Sequence, residues 1–230
     1  PNHPGECFIE NVKVKNNVEV YADDVTIRNF LILDTGGTLY GIHHRLGSHN
    51  LVLEDGEVIN AGDGIFSMDP SNTITVRRLD THEMQGDGMK IENSGALVEG
   101  SWIRHNGMAV GAHGDGEQAL NGPGNALFRC NYIDMPNPDP IYESNSAFSV
   151  NNCGDTFITN FVIDSNWINA GTYSVYLGGD SAGCSSTCPT GRLTNNRFGR
   201  DYLFGLLNEG SNCNPNEQGL LCRLILLTNP

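Results

Sequence analysis

The sequence predicts an all-β solenoid, and three observations lead there. Helical periodicity is nearly absent: no window of about 11–18 residues carries apolar residues at helix spacing. Short runs of β-prone residues recur along the whole chain, separated by Asn, Gly and Asp. Stacked on one another, the runs form a repeat of about 22–35 residues with two or three short strands each, the pattern of a coil whose rungs bury their inward side chains on their neighbours. A propeller blade needs four strands in about 40–45 residues, which this repeat is too short to supply.

The elements fall into two rows. One holds "YGIHH" (40–44), "GIFSM" (64–68), "GMKIE" (88–92), "GEQAL" (116–120), "AFSVN" (147–151), "SVYLG" (174–178) and "FGLLN" (204–208). The other precedes it in each repeat, at 51–60, 97–106, 127–135, 161–169 and 192–199, with 18–33 and 72–80 continuing the pattern. In this second row an apolar residue follows another after five positions: Leu53/Val58, Val98/Ile103, Phe128/Ile133, Ile163/Ile168 and Leu193/Phe198. Asn in the turns tolerates left-handed backbone and can ladder between rungs. No linker is visible, so residues 1–230 are read as one domain.

Bulk properties exclude several function classes. A net charge of −14 with 13 Lys and Arg excludes a nucleic-acid partner, which would need clustered cations. No run of about 18 apolar residues is present to cross a bilayer, and no signal peptide is visible. Seven cysteines are many for a cytosolic chain of this size. Cys184/Cys188 and Cys213/Cys222 sit in a Gly/Ser/Asn/Pro-rich stretch near 180–222, where loop disulfides are expected, and Cys130 could pair with Cys153. This usage points to an extracellular protein, expected to be a monomer.

The tripeptide Gly-Asp-Gly occurs three times, around Asp63, Asp87 and Asp115, spaced 24 and 28 residues apart. As turn chemistry, the glycines supply positive φ and the Asp caps the turn. Stacked about 4.8 Å apart, however, the three carboxylates form a ladder whose repulsion must be neutralised. A calcium ion on Asp63, Asp87 and Asp115 would do so. Two carboxylates about 5 Å apart also match a retaining glycosidase. Strand alternation then turns His43, Phe66, Lys90, Gln118, Ser149 and Tyr176 outward in one row, a sugar-binding face. Lys90 is one of three lysines and lies between the second Gly-Asp-Gly and Glu92. It suits proton abstraction beside a uronate carboxylate if its pKa is lowered, whereas an ion pair with Asp87 or Glu92 would raise it. His82, His105 and His113 fall in turns near the ladder; His113 and Asp115 form an acid/base pair.

With its φ-x-φ-x-x-N-x-φ-φ rungs, as in "VLEDGEVIN" and "IDSNWIN", the chain resembles the pectate-lyase-like superfamily. The resemblance covers nearly the whole chain and implies a single-stranded right-handed parallel β-helix of about seven rungs. "MKIENSGALVEGSWIRHNGMAVGAHGDG" further resembles β-helical alginate lyases and chondroitinase-B-like lyases, in which a lysine base precedes an Arg-His-Gly segment and calcium often neutralises the substrate carboxylate. Lys90 matches the lysine and His113-Gly114 the end of the segment; Ala112 stands where the arginine would be. The resemblance implies β-elimination on a uronate polysaccharide, with Lys90 as base, His113 as acid, and Asp87 and Asp115 tuning the site. Arg104 and His105 would hold the substrate carboxylate, and Gln118, His43, Phe66 and Tyr176 the sugar. The alternatives are a glycoside hydrolase using paired Asp residues and a non-catalytic carbohydrate-binding coil.

Overall fold

The structure, a computed structural model, describes residues 5–34, 40–120, 124–135, 144–151, 158–177 and 191–209. The strands among them wind into eight rungs. The first holds β1 (Cys7–Lys15) and β2 (Val18–Val20), the second β3 (Val25–Leu33) and β4 (Ile42–His44). The third holds β5 (Leu51–Ile59) and β6 (Ile65–Ser67), the fourth β7 (Ile74–His82) and β8 (Met89–Ile91). From there the long strand is split in two. The fifth rung has β9 (Leu97–Glu99), β10 (Trp102–Arg104) and β11 (Gly114–Leu120), and the sixth β12 (Leu127–Arg129), β13 (Tyr132–Asp134) and β14 (Ser144–Asn151). The seventh has β15 (Phe161–Asp164), β16 (Trp167–Asn169) and β17 (Tyr173–Leu177), and the eighth β18 (Gly191–Thr194), β19 (Arg197–Phe198) and β20 (Gly205–Glu209). The eighth rung beyond the expected seven arises because Val18–Val20, read from the sequence with the long-strand row of 18–33, instead begins the face-three row ahead of Ile42–His44.

All strand pairs among the described residues are parallel. The chain is thus a parallel β-helix with three faces. The first halves of the long strands continue into β9, β12, β15 and β18 (face one), and their second halves into β10, β13, β16 and β19 (face two). The remaining strands, β2 to β20, form the separate eight-stranded sheet (face three).

The five-residue apolar spacing has a local cause. Between faces one and two the backbone enters the left-handed region at Asn11, Asn29, Asp55, Arg78, Cys130, Ser165 and Asn195, with Gly100 in the same column. Asn and Asp accept this region most readily among side-chain-bearing residues. The turn re-aims the chain, so Leu53 and Val58 both point inward, as do Val98/Ile103, Phe128/Ile133 and Ile163/Ile168, all 0% exposed. The core is this column together with the inward residues of face three, including Ile65, Met89, Phe148 and Val175.

Next to that corner runs a buried amide ladder. The Ser101, Asn131 and Asn166 backbone N–H groups donate to the Oδ1 atoms of Asn131, Asn166 and Asn196 at 2.8–2.9 Å. The Nδ2 groups of Asn131, Asn166 and Asn196 donate to the carbonyls of Val98, Phe128 and Ile163. Every amide therefore pairs on both sides, which is what a polar group in a core requires.

Among the cysteines, Cys7 and Cys130 are exposed free thiols. The exposure of Cys130 follows from its place at the left-handed corner, and the expected Cys130–Cys153 pair falls on a residue outside the described ones. Cys153, Cys184, Cys188, Cys213 and Cys222 lie outside the described residues.

Candidate active site

The three Gly-Asp-Gly turns stack where each rung enters face three. Asp63 Oδ1 accepts the N–H of Asp87 at 2.8 Å, and Asp87 Oδ1 accepts the N–H of Asp115 at 2.7 Å. Asp115 Oδ1 closes the series on Ser146, through its N–H at 2.9 Å and its hydroxyl at 2.5 Å. The glycines act by close approach and not, as the turn chemistry suggests, through positive φ. Gly64, Gly86, Gly88, Gly114 and Gly116 all have ordinary φ. A Cβ on Gly64, Gly88 or Gly116 would meet a carbonyl oxygen of the next rung at 2.2–2.5 Å, and one on Gly86 would strike Asp63 Oδ1.

Past the ladder, the outward row is in the expected register. His43 pairs with Phe66, Phe66 with Lys90, Lys90 with Gln118, Gln118 with Ser149, and Ser149 with Tyr176. Tyr40 adds an aromatic group that the sequence reading did not single out. Its ring stacks on Phe66 (3.9 Å between centroids, 21°) and meets the edge of His43 at 4.7 Å. Lys90 Nζ lies 6.0 Å from the Phe66 ring centre and 3.4 Å from Asp87 Oδ2. Gln118 Nε2 donates to Asp115 Oδ2 at 2.9 Å.

Burial sets the protonation states. Burial of Asp87, with Asp115 and Asp63 beside it, pushes its carboxyl up to about 7 against the opposing pull of Lys90. Burial also raises Asp115, to about 6, although donors from Ser146, Gln118 and Asn145 hold it down in part. Lys90 is held above its ordinary value: burial works the other way, but the Asp87, Asp63 and Glu92 carboxylates outweigh it. The alternative of an ion-paired Lys90 is the arrangement observed, and such a lysine is a poor base. Burial lowers His43, favouring the neutral imidazole.

The other sequence candidates are not drawn into this cluster. Arg104 points from face two and grips Asp80 through Nε and Nη2, at 3.2 and 2.9 Å. His105 is exposed, 3.6 Å from Glu83. His113 is exposed one residue before β11. Asp115 is 0% exposed, with both oxygens taken by protein donors. Asp63, Asp87 and Asp115 do not bring three ligand atoms within 4.8 Å of one another, so among the described residues the ladder forms no three-carboxylate cluster for calcium. Backbone N–H groups, Lys90 and retained protons already neutralise the ladder. On face two, Glu57, Asp80 and His82 bring ligand atoms within 4.8 Å of one another, but Arg104 already occupies Asp80.

Two more carboxyls are buried: Glu117, which escaped the sequence reading, and Glu92, read there only as an ion-pair partner of Lys90. Glu117 occupies an inward position between Met89 and Phe148, 1% exposed, with neither carboxyl oxygen hydrogen-bonded. Burial, with Asp87 adding to it, drives it well above the ordinary carboxylate range. Burial lifts Glu92 to about 8. Strand parity alone, with Gln118 outward, would have marked Glu117 as inward.

No protein-family model matches the chain, and no curated protein matches it. Among solved structures, it is similar to the catalytic domain of a GH87 alpha-1,3-glucanase in complex with nigerose, with a TM-score of 0.51 and 14% identity. A variant of that domain, also with nigerose, matches with the same TM-score and identity. The similarity covers 90% of this chain and 48% of the glucanase domain, so the chain spans about half the length of these neighbours. At this identity the likeness is one of fold: the chain is an all-β parallel β-helix.

Proposed function

We propose that the chain is a glycoside hydrolase acting on a neutral polysaccharide, with Asp87 as proton donor and Asp63 as the partner carboxylate. The observation that carries this reading is that Asp87 is buried between Asp63 and Asp115, which pushes its carboxyl up to about 7, while neighbouring Asp63 on the adjacent rung is more exposed. A carboxyl pair whose environments differ in this way suits acid and nucleophile roles. Adjacent rungs are about 4.8 Å apart, close to the spacing of about 5–5.5 Å in retaining enzymes.

In this reading Asp87 gives its proton to the glycosidic oxygen while Asp63 Oδ2 attacks the anomeric carbon. The leaving sugar departs as an alcohol and a glycosyl ester remains on Asp63. Water, deprotonated by the Asp87 carboxylate, then attacks the anomeric carbon and frees Asp63. Lys90 and Gln118 orient hydroxyls, and Tyr40, Phe66, His43 and Tyr176 supply the sugar platform. Asp115 is a positioning residue that holds Gln118 and the Ser146 turn.

Several features favour hydrolysis over elimination. Lys90, the base that elimination would need, is held protonated. A net charge of −14 repels a polyanionic substrate. The fold neighbours are alpha-1,3-glucanases bound to nigerose, a neutral sugar. Its place of work is extracellular, on the cysteine usage, and it acts as a monomer.

Incubation with alpha-1,3-glucan and other neutral glucans, and with alginate and polygalacturonate as acidic comparisons, tests the reading. New reducing ends from a neutral glucan, without the ultraviolet absorbance of an unsaturated uronate, are expected. That absorbance appearing on an acidic polymer would restore elimination.

A further inference from the structure

Face two carries a second surface that the turn ladder does not use. Its outward row continues in register from Asp80 to Trp102, Tyr132, Trp167 and Arg197. Trp102 and Tyr132 are 48% and 43% exposed, two large aromatic side chains presented to solvent on neighbouring rungs. The rings contact one another: Trp102 meets Tyr132 edge-on at 6.0 Å, and Tyr132 lies parallel to Trp167, 14° apart, also at 6.0 Å. The Arg104 guanidinium covers one side of Trp102 at 4.5 Å.

This row forms one wall of a groove along the corner between faces one and two. An opening of about 690 Å³ extends from the first rungs to Trp102, and another of about 710 Å³ from Tyr132 to Arg197. The two lie end to end, on consecutive rungs. The opposite side is the left-handed column, which offers short polar side chains such as Ser165 and Asn195. The charges along the middle of the groove cancel: Asp55 is paired bidentately with Arg78 at 2.6 and 2.9 Å, and Asp80 with Arg104.

We propose that this corner groove is a second carbohydrate-binding surface, taking a neutral oligosaccharide along the coil axis with its sugar rings against Trp102, Tyr132 and Trp167. A pyranose presents apolar C–H faces to aromatic rings and hydroxyls to the polar column. The middle of the groove, where the charges are internally paired, complements a ligand without charge, and Lys13 and Arg197 stand at its two ends. Aromatic groups of this kind supply large contact area at little conformational cost. The surface lies on a different face from the turn ladder, so it would hold a polymer while the ladder site works on it.

Both tryptophans of the chain lie in this row. Tryptophan emission therefore reports on this groove and not on the Asp63–Asp87–Asp115 ladder. The intact chain is titrated with nigerotetraose, laminarihexaose, cellohexaose and maltohexaose, with an oligogalacturonate as the charged comparison. Saturable change in emission with at least one neutral sugar is expected. Tyr132→Ala should weaken it by about tenfold or more, and Trp102→Ala should do the same, read by calorimetry. Circular dichroism checks that each variant stays folded, which exposure of both side chains favours. Asp87→Asn should leave this binding unchanged, so loss of hydrolysis and loss of groove binding are separable. Binding of the oligogalacturonate alone, no emission change with any of the sugars, or binding that survives both aromatic variants would overturn the proposal.

Discussion

Two ladders in this coil do the same backbone work with different chemistry. At the corner of faces one and two, Asn131, Asn166 and Asn196 each accept a neighbouring rung's N–H. At the entry to face three, Asp63, Asp87 and Asp115 do likewise. The amides pair fully and carry no charge. The carboxylates stack in a buried environment that raises two of them, Asp87 and Asp115, and brings Lys90 against one. An amide would serve the turn without that repulsion. The fold therefore does not need acids here, and that surplus of charge is the strongest sign that the ladder serves chemistry. Departures from local economy of this kind concentrate at functional sites.

The largest effect should come from removing the acid without removing the cap. Asp87→Asn keeps an oxygen for the Asp115 N–H but cannot donate as an acid, and glucan hydrolysis should fall by about 100- to 10,000-fold. Thermal unfolding should show stability held or raised, since a buried carboxyl beside two others is relieved.

Exchanging the two chemistries sharpens the contrast. Asn166→Asp places a charge where the amide donates to Phe128 and Asn196, and should cost about 3–5 kcal/mol in denaturant unfolding. Asp115→Asn keeps its acceptor for Ser146, lets Gln118 turn its amide, and should cost under about 1 kcal/mol. Equal costs for the two would erase the distinction between a structural and a functional ladder.

The acids also set a pH dependence of stability. Asp87, Asp115, Glu92 and Glu117 all have folded-state values raised above their unfolded ones. Between those values the folded chain holds more protons, so stability is greatest near the unfolded carboxylate range, about pH 4, and falls as pH rises toward 8. Thermal melts across this range should show that decline. Glu117→Met, which mimics the adjacent Met89 in the core, should flatten it and add about 1–3 kcal/mol by removing an unpaired buried polar group.

Much of this was legible in the sequence because it is local. The i, i+5 apolar pairs, the outward row from His43 to Tyr176 and the stacked Gly-Asp-Gly turns all follow from strand parity and a fixed turn. What depends on partners from other rungs was not legible. Arg104 looked like a substrate clamp because its partner Asp80 lies 24 residues away, one rung below. Lys90 looked available as a base, although an ion pair was the stated alternative, because three carboxylates gather around it only when the coil closes. Glycine's role was misread because its constraint is the carbonyl oxygen of the next rung, which no single turn reveals.

The most direct test is the pH dependence of kcat on a neutral glucan for the wild type and Lys90→Met. Lys90 favours the charged form of Asp87 and so holds its pKa down. If Asp87 is the acid, the wild type should lose activity as pH rises through about 7, and Lys90→Met should stay active with that limb displaced to higher pH. A variant with no turnover at any pH, while the wild type releases unsaturated uronates from an acidic polymer, would contradict the account and make Lys90 the base.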